Sequence, residues 1–253
     1  MSEHEMDSAP GTPPTPPGHA GAADASVADV GDATAIRQRI DAIRAGRGYV
    51  LPSHAILAVG NPTLLARYED VFSAITYQYT SLSPFEKNFV WLVVIGCAQT
   101  PTGAAHLKDF VDAGGTVSQA EAASSLAAVA HGAPLYDTIA PGWRKVLPGY
   151  SPERAYRDAI DRVIAGTGLP AGLVDMALAA GQACRASWDK VTRHILNAKQ
   201  AGISDDALAE ALTVVILPAG NPAFVQASAI WRDLISTGQV EASAAYRYAC
   251  DAI

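Results

Sequence analysis

The strongest constraint on this chain is that it repeats itself. Tyr68-x-Asp70 recurs as Tyr156-x-Asp158, 88 residues on, and His106 recurs as His194 at the same displacement. Leu82 and Leu169, like Cys97 and Cys184, stand 87 apart, so one inserted residue between Cys184 and His194 restores the register. Behind each histidine an Ala-Gly pair follows (Ala113-Gly114, Ala201-Gly202), and Thr116/Ser204, Gly132/Gly220 and Pro134/Pro222 continue at 88. An ordered run of matches at displacements of 87 and 88 marks a repeated supersecondary unit, which buries its apolar face against its neighbour. The expected organisation is two copies, 34–145 and 146–253, packed about a pseudo-twofold axis.

Each copy reads as helix throughout. Asn61-Pro62 supplies a cap and a first-turn proline, and Leu64, Leu65, Tyr68, Val71, Phe72 and Ile75 give one apolar face. Ser83-Pro84 starts a second helix running to about Cys97. Thr100-Pro101 starts a third that carries His106 and closes at Gly114-Gly115, and Ser118 to about Ala130 forms a fourth. The second copy follows the same plan from Ser151-Pro152 to about Leu217. Upstream, Ile36, Ile40 and Ile43 predict one more helix. Residues 1–33 hold Pro10, Pro13, Pro14, Pro16 and Pro17 and almost no large apolar side chains, the composition of a disordered tail. The fold class expected is all-α.

Composition removes several function classes. A net charge of −7, with no run of Lys or Arg, excludes a nucleic-acid footprint. The longest apolar stretches, Phe89–Cys97 and Leu212–Ala219, fall short of the ~20 residues needed to cross a bilayer. Three cysteines are too few and too odd in number for a disulfide framework, which leads to the expectation of a cytoplasmic protein. His4, His19, His54, His106, His131 and His194 have no metal-ligand spacing, and no phosphate loop or nucleotide motif occurs, so neither metal nor cofactor is expected.

Leu82-Ser83-Pro84-Phe85-Glu86-Lys87, then Gly103-Ala104-Ala105-His106, then Asp112-Ala113-Gly114-Gly115-Thr116, resembles the carboxymuconolactone decarboxylase and alkylhydroperoxidase-D-like superfamily, over about residues 45–237. The resemblance implies an all-α homo-oligomer with a site near the motif histidine. The peroxidase branch of that superfamily carries Cys-x-x-Cys-x-x-x-His. Here Gln99 and Thr102 precede His106 at those positions, and Ser187 and Lys190 precede His194. Without paired thiols neither copy can run a dithiol cycle. The resemblance then implies the decarboxylase branch: a cofactor-independent lyase acting on a small carboxylated or lactone-like molecule.

Under that reading His106 is the general acid/base and Glu86, on the preceding helix, orients it or shares the proton transfer. Thr102, one turn before His106, is placed to touch the ligand, and Cys97, His194 and His54 complete the candidate binding residues. His54 lies in the loop-like segment Tyr49–His54. The second copy has Trp188, Lys190 and Arg193 where the first has small residues, bulk expected to close its pocket and leave His106 as the active copy. Two other readings stay open: a non-catalytic oligomeric scaffold that binds a small molecule or a protein, and a peroxide-reducing protein working through Cys97. Isolated histidines on apolar helices are commonly structural, and recurrence alone does not separate the two roles.

Overall fold

The computed structural model describes residues 32–100 and 103–252, and these are all-helical without strands. The expected tail lies outside the described residues up to position 31; Asp32 and Ala33 already belong to the first helix. That helix, α1 (Ala33–Arg47), is capped by the Asp32 carboxylate, which accepts from the Thr34 and Ala35 amides, and ends at Gly48 with φ 77°. Then come α2 (Pro52–Gly60), α3 (Pro62–Tyr77), α4 (Pro84–Ala98), α5 (Ala104–Asp112) and α6 (Val117–Trp143). They are followed by α7 (Pro152–Ile164), α8 (Ala171–Cys184), α9 (Trp188–Gln200), α10 (Asp205–Thr213), the short α11 (Ile216–Ala219), α12 (Asn221–Ser236) and α13 (Ala244–Asp251). No helix among the described residues is long and apolar enough to cross a membrane.

The chain divides into two compact units at Glu69–Asp70, a boundary inside α3. The boundary expected at 145 falls within the larger unit, where α4 and α8, on either side of it, share one core. In the smaller unit Ile43, Ala58 and Leu65 form a satellite core, beside which Arg47 holds Glu69 through two 2.8 Å hydrogen bonds.

In the larger unit α4 and α8 are buried almost all round, and Phe89, Val90, Val93 and Val94 meet Val174, Met176, Ala177 and Leu178 in one cluster. Each fully buried aliphatic or aromatic side chain contributes roughly 1.5–3 kcal/mol. The helices approach closely because the sequence leaves space: a Cβ on Gly181 would lie 2.7 Å from Cys97 Sγ, and one on Gly96 2.6 Å from Ala127 Cβ. Around this pair α5 and α6 pack on α4, α9 on α8, and α7 on α6.

Two expectations from sequence are corrected. His54 is not in a loop; it sits in the first turn of α2, fully buried, where its Nδ1 accepts from the Leu51 amide at 3.2 Å. Pro52 begins that helix instead of marking a loop. The fourth helix does not stop near Ala130 but continues through Pro134 and Pro141 to Trp143. Proline at 134 removes the amide that would pair with the Ala130 carbonyl. Gln182 Nε2, reaching across from α8, donates to that carbonyl at 3.3 Å instead.

One polar clamp fixes the approach to α4. Glu210, buried on α10, accepts hydrogen bonds from the Thr80, Ser81 and Leu82 amides, the Thr80 hydroxyl (2.7 Å) and Lys87 Nζ (2.9 Å). Burial pushes its carboxyl up, but these donors outweigh that and hold it at about 2 against an ordinary 4.5. A depressed carboxylate contributes stability that is complete above pH 4.5 and is lost as pH falls toward about 2. Glu210→Gln, which leaves Lys87 buried without a counter-charge, is expected to lower unfolding stability by roughly 3 kcal/mol at neutral pH. The same variant should flatten the acid limb of the stability curve. Urea titrations across pH measure both, and an unchanged acid limb contradicts the assignment.

Candidate active site

The two motif histidines occupy different surroundings. His106, on α5, is buried and stacked on the Trp91 indole, with centroids 4.2 Å apart and planes at 15°. Its Nδ1 has no hydrogen-bond partner. Burial pulls its pKa down to about 4, so it is a neutral ring at physiological pH. Glu86 does not orient it: its carboxylate accepts from the Ser83 amide (2.9 Å) and hydroxyl (2.7 Å), closing a capping box at the start of α4. Thr102 lies outside the described residues. Cys97 and Cys184 are thiols that burial pushes up to about 12, far from the thiolate form a peroxidatic residue needs. His54 belongs to the smaller unit, 4.0 Å from Glu69 and tilted against Tyr68. The structure does not bring Glu86 into hydrogen-bond contact with His106.

His194, on α9, is by contrast fully buried and bonded at both ring nitrogens. Nδ1 lies 2.7 Å from Asp175 Oδ1 on α8, and Nε2 lies 3.0 Å from the Tyr156 hydroxyl on α7. Asp175 also accepts from Arg157 at 2.6 Å and from Asn197 at 3.3 Å. Gln182 Nε2 donates to the Tyr156 oxygen at 3.1 Å. Donor counting fixes the direction of the chain. A carboxylate only accepts, so Nδ1 carries the imidazole proton; Nε2 then accepts from Tyr156, whose oxygen in turn accepts from Gln182.

Electrostatics agree with this polarity. Burial lowers the His194 pKa, and the neighbouring Asp175 offsets only part of that. Burial would raise Asp175, but hydrogen bonds from His194 and Arg157 outweigh it and hold the carboxyl below the usual range. Burial raises the Tyr156 phenol, with Gln182 pulling weakly the other way. The resting state is Asp⁻, neutral His and neutral Tyr.

Tyr156 lines a cleft of about 610 Å³ between α7 and α9. Arg154, Arg157, Lys190 and Arg193 also line it, with Asp137, Glu153 and Asp189 as the acids. Lys190 lies 5.7 Å from the Tyr156 ring centroid and pairs with Asp137 at 2.7 Å. Arg193 makes no hydrogen bond among the described residues. Lys190 and Arg193 both line this cleft: Arg193 is exposed, whereas Lys190 is buried, its ammonium held by Asp137 at 2.7 Å and Asp189 at 3.3 Å. Among the described residues no group of three or more His, Cys, Asp or Glu is placed to hold a metal.

Sequence reasoning missed Asp175 and gave Tyr156 no role. A signal existed for each: Asp175 is the lone charge in the Ala171–Cys184 segment, where Gln182 is the other polar side chain, and Tyr156 is a repeat marker. At the displacement of 87 that holds here, Asp175 corresponds to Asn88, whose side chain only donates to the Pro84 carbonyl at 2.9 Å.

Two variants separate the copies. Asp175→Asn should cost about 3 kcal/mol, since it takes from Arg157 its 2.6 Å counter-charge and from the His194 N–H its carboxylate acceptor. His106→Phe keeps the stack on Trp91 and removes an unpaired nitrogen, so it should stay within about 1 kcal/mol of the parent. Nitrogen NMR should find His194 neutral and protonated at Nδ1 at neutral pH; an imidazolium there overturns the assignment. Compared with known proteins, the chain matches no family model, no curated protein and no solved structure.

Proposed function

We propose that this chain is a cofactor-independent lyase whose acid/base site lies in the second copy of a duplicated, carboxymuconolactone-decarboxylase-like unit. The observation that carries the reading is the Tyr156–His194–Asp175 chain beside a cation-lined cleft. The duplication is supported by backbone detail that side-chain similarity does not require. Gln99 and Ala186, 87 apart, both follow a central helix with φ 53°, a value non-glycine residues seldom adopt. Gly114 and Gly202 turn at φ 92° and 87°, and Thr116 and Ser204 cap the helices that follow.

The cleft suits a small carboxylate or lactone. Arg154 and Arg193 offer exposed guanidinium groups for the carboxylate, the ligand type their planar donors match. The resting protonation state favours proton removal. The Tyr156 oxygen takes a proton from the carbon next to the substrate carbonyl while passing its own to His194 Nε2. The C–H electron pair moves into an enolate facing the cationic wall, and the new imidazolium is paired with Asp175. Return of the proton completes an exchange turnover; alternatively a β-oxygen is expelled, as in opening a lactone, and the imidazolium proton passes back through Tyr156 to the expelled oxygen. In decarboxylation the dienolate left by loss of carbon dioxide takes the proton of Tyr156, and a proton from water then restores the phenol.

The experiment is solvent-deuterium exchange at carbon, followed by proton NMR over a set of small carboxylic acids and lactones. Tyr156→Phe should reduce exchange or turnover by at least ~100-fold, in line with loss of a positioned acid/base. His106→Ala should leave the rate within about threefold, given that it retains the second-copy chain. Activity that survives Tyr156→Phe and vanishes with His106→Ala returns the site to the first copy. The second reading, a ligand-binding scaffold without turnover, is favoured by the full burial of His194. It predicts that carboxylates raise the melting temperature with no exchange at all.

A further inference from the structure

A second opening lies away from the cleft, between α10, α12 and α13. It holds about 290 Å³, close to the lower end of the ~300–1,000 Å³ typical of small-molecule sites. Its wall is formed by Leu212, Phe224, Trp231, Ile235 and Tyr246, with the Trp231 and Tyr246 rings 5.1 Å apart at 39°. Protein interiors rarely leave a volume of this size among aromatic and aliphatic side chains, and apolar space of this kind takes up apolar rings.

Two features narrow the occupant. Arg232 is the one cation lining the slot, and no Asp or Glu lines it. Its present partner is its chain neighbour Asp233, at 2.9 Å on the exposed surface, a pairing of the kind worth little. Ser228, also on the wall, makes no hydrogen bond among the described residues. The helix above is moored at its first turns. The Ser243 amide donates to Asp205 at 2.7 Å and the Tyr246 hydroxyl to Asp206 at 3.0 Å. None of the α13 residues is fully buried; Tyr246 and Cys250 pack against the core from the edge of the slot, and Ala249 lines it.

We propose that this slot binds a small aromatic carboxylate, its ring between Trp231 and α13, its carboxylate on Arg232 and one oxygen within reach of Ser228. The ring supplies the apolar contact and the guanidinium fork supplies orientation. This site is independent of the Tyr156 cleft and does not rest on the lyase reading.

The test uses para-fluorobenzoate with the full chain, followed by fluorine NMR and by thermal shift. Saturable binding in the millimolar range or tighter is expected, at least ~5-fold weaker for neutral fluorobenzene and for Arg232→Leu. Ala249→Phe fills the slot: it should abolish binding without lowering the melting temperature of the free protein. Ser228→Leu serves as the second filling variant should the first fail to fold. Tyr156→Phe and Arg193→Ala, both in the cleft, should bind as the parent does. Absence of saturation up to about 10 mM overturns the proposal. So does binding that survives a folded filling variant, and so does binding lost on Arg193→Ala, which assigns the ligand to the cleft.

Discussion

Burying α8 on every side is the constraint from which the rest of the larger unit follows. Twelve consecutive residues, Gly172 to Ala183, are buried, and two of them, Asp175 and Gln182, are polar. An unpaired carboxylate in such surroundings would take up a proton, because desolvation disfavours its charge. Asp175 stays ionised only because α7 and α9 deliver Arg157, His194 and Asn197 to it. The helices flanking α8 are therefore oriented by a polar requirement as well as by apolar packing. The Tyr156–His194–Asp175 hydrogen-bond chain is the form that requirement takes.

The same reasoning explains why the surroundings of the two histidines differ. Asn88, 87 residues before Asp175, needs no counter-charge and satisfies itself on the Pro84 carbonyl. His106 has correspondingly no carboxylate to meet and stacks on Trp91. Its burial without a partner at Nδ1 fits a ring retained for packing. Lys87, next to Asn88, turns instead to Glu210 and ties down the segment leading into α4. Buried charge serves rigidity on α4 and a directed hydrogen-bond chain on α8.

Much of the fold was legible in the sequence, and the site was legible only in fragments. Helix starts at Ser83-Pro84, Asn61-Pro62 and Ser151-Pro152 follow from local chemistry, since a cap and a first-turn proline act within four residues. The α-only class follows from periodicity in the same way. The length of α6 did not, because Pro134 is tolerated only through a hydrogen bond from a side chain 48 residues away. Tyr156, Asp175 and His194 were individually visible, yet nothing local says that three helices bring them together. Bulk at Lys190 and Arg193 was read as obstruction; both line the cleft, Lys190 held by Asp137 and Asp189, pairings that no local pattern announces.

Gln182 joins these threads. Its amide nitrogen has two acceptors, the Ala130 carbonyl left open by Pro134 and the Tyr156 hydroxyl, while its Oε1 is buried without a partner. Reversing the amide would set an oxygen against the Ala130 carbonyl and take the Tyr156 proton away from His194. The unpaired oxygen, a penalty on the order of 1–3 kcal/mol, is thus the consequence of holding the nitrogen in place. Held there, the N–H points at the phenol oxygen and leaves the phenol proton for His194. Pro134 and the buried acid Asp175 are in this way coupled through one side chain, and the hydrogen-bond chain acquires its direction from the helix break that makes the coupling necessary.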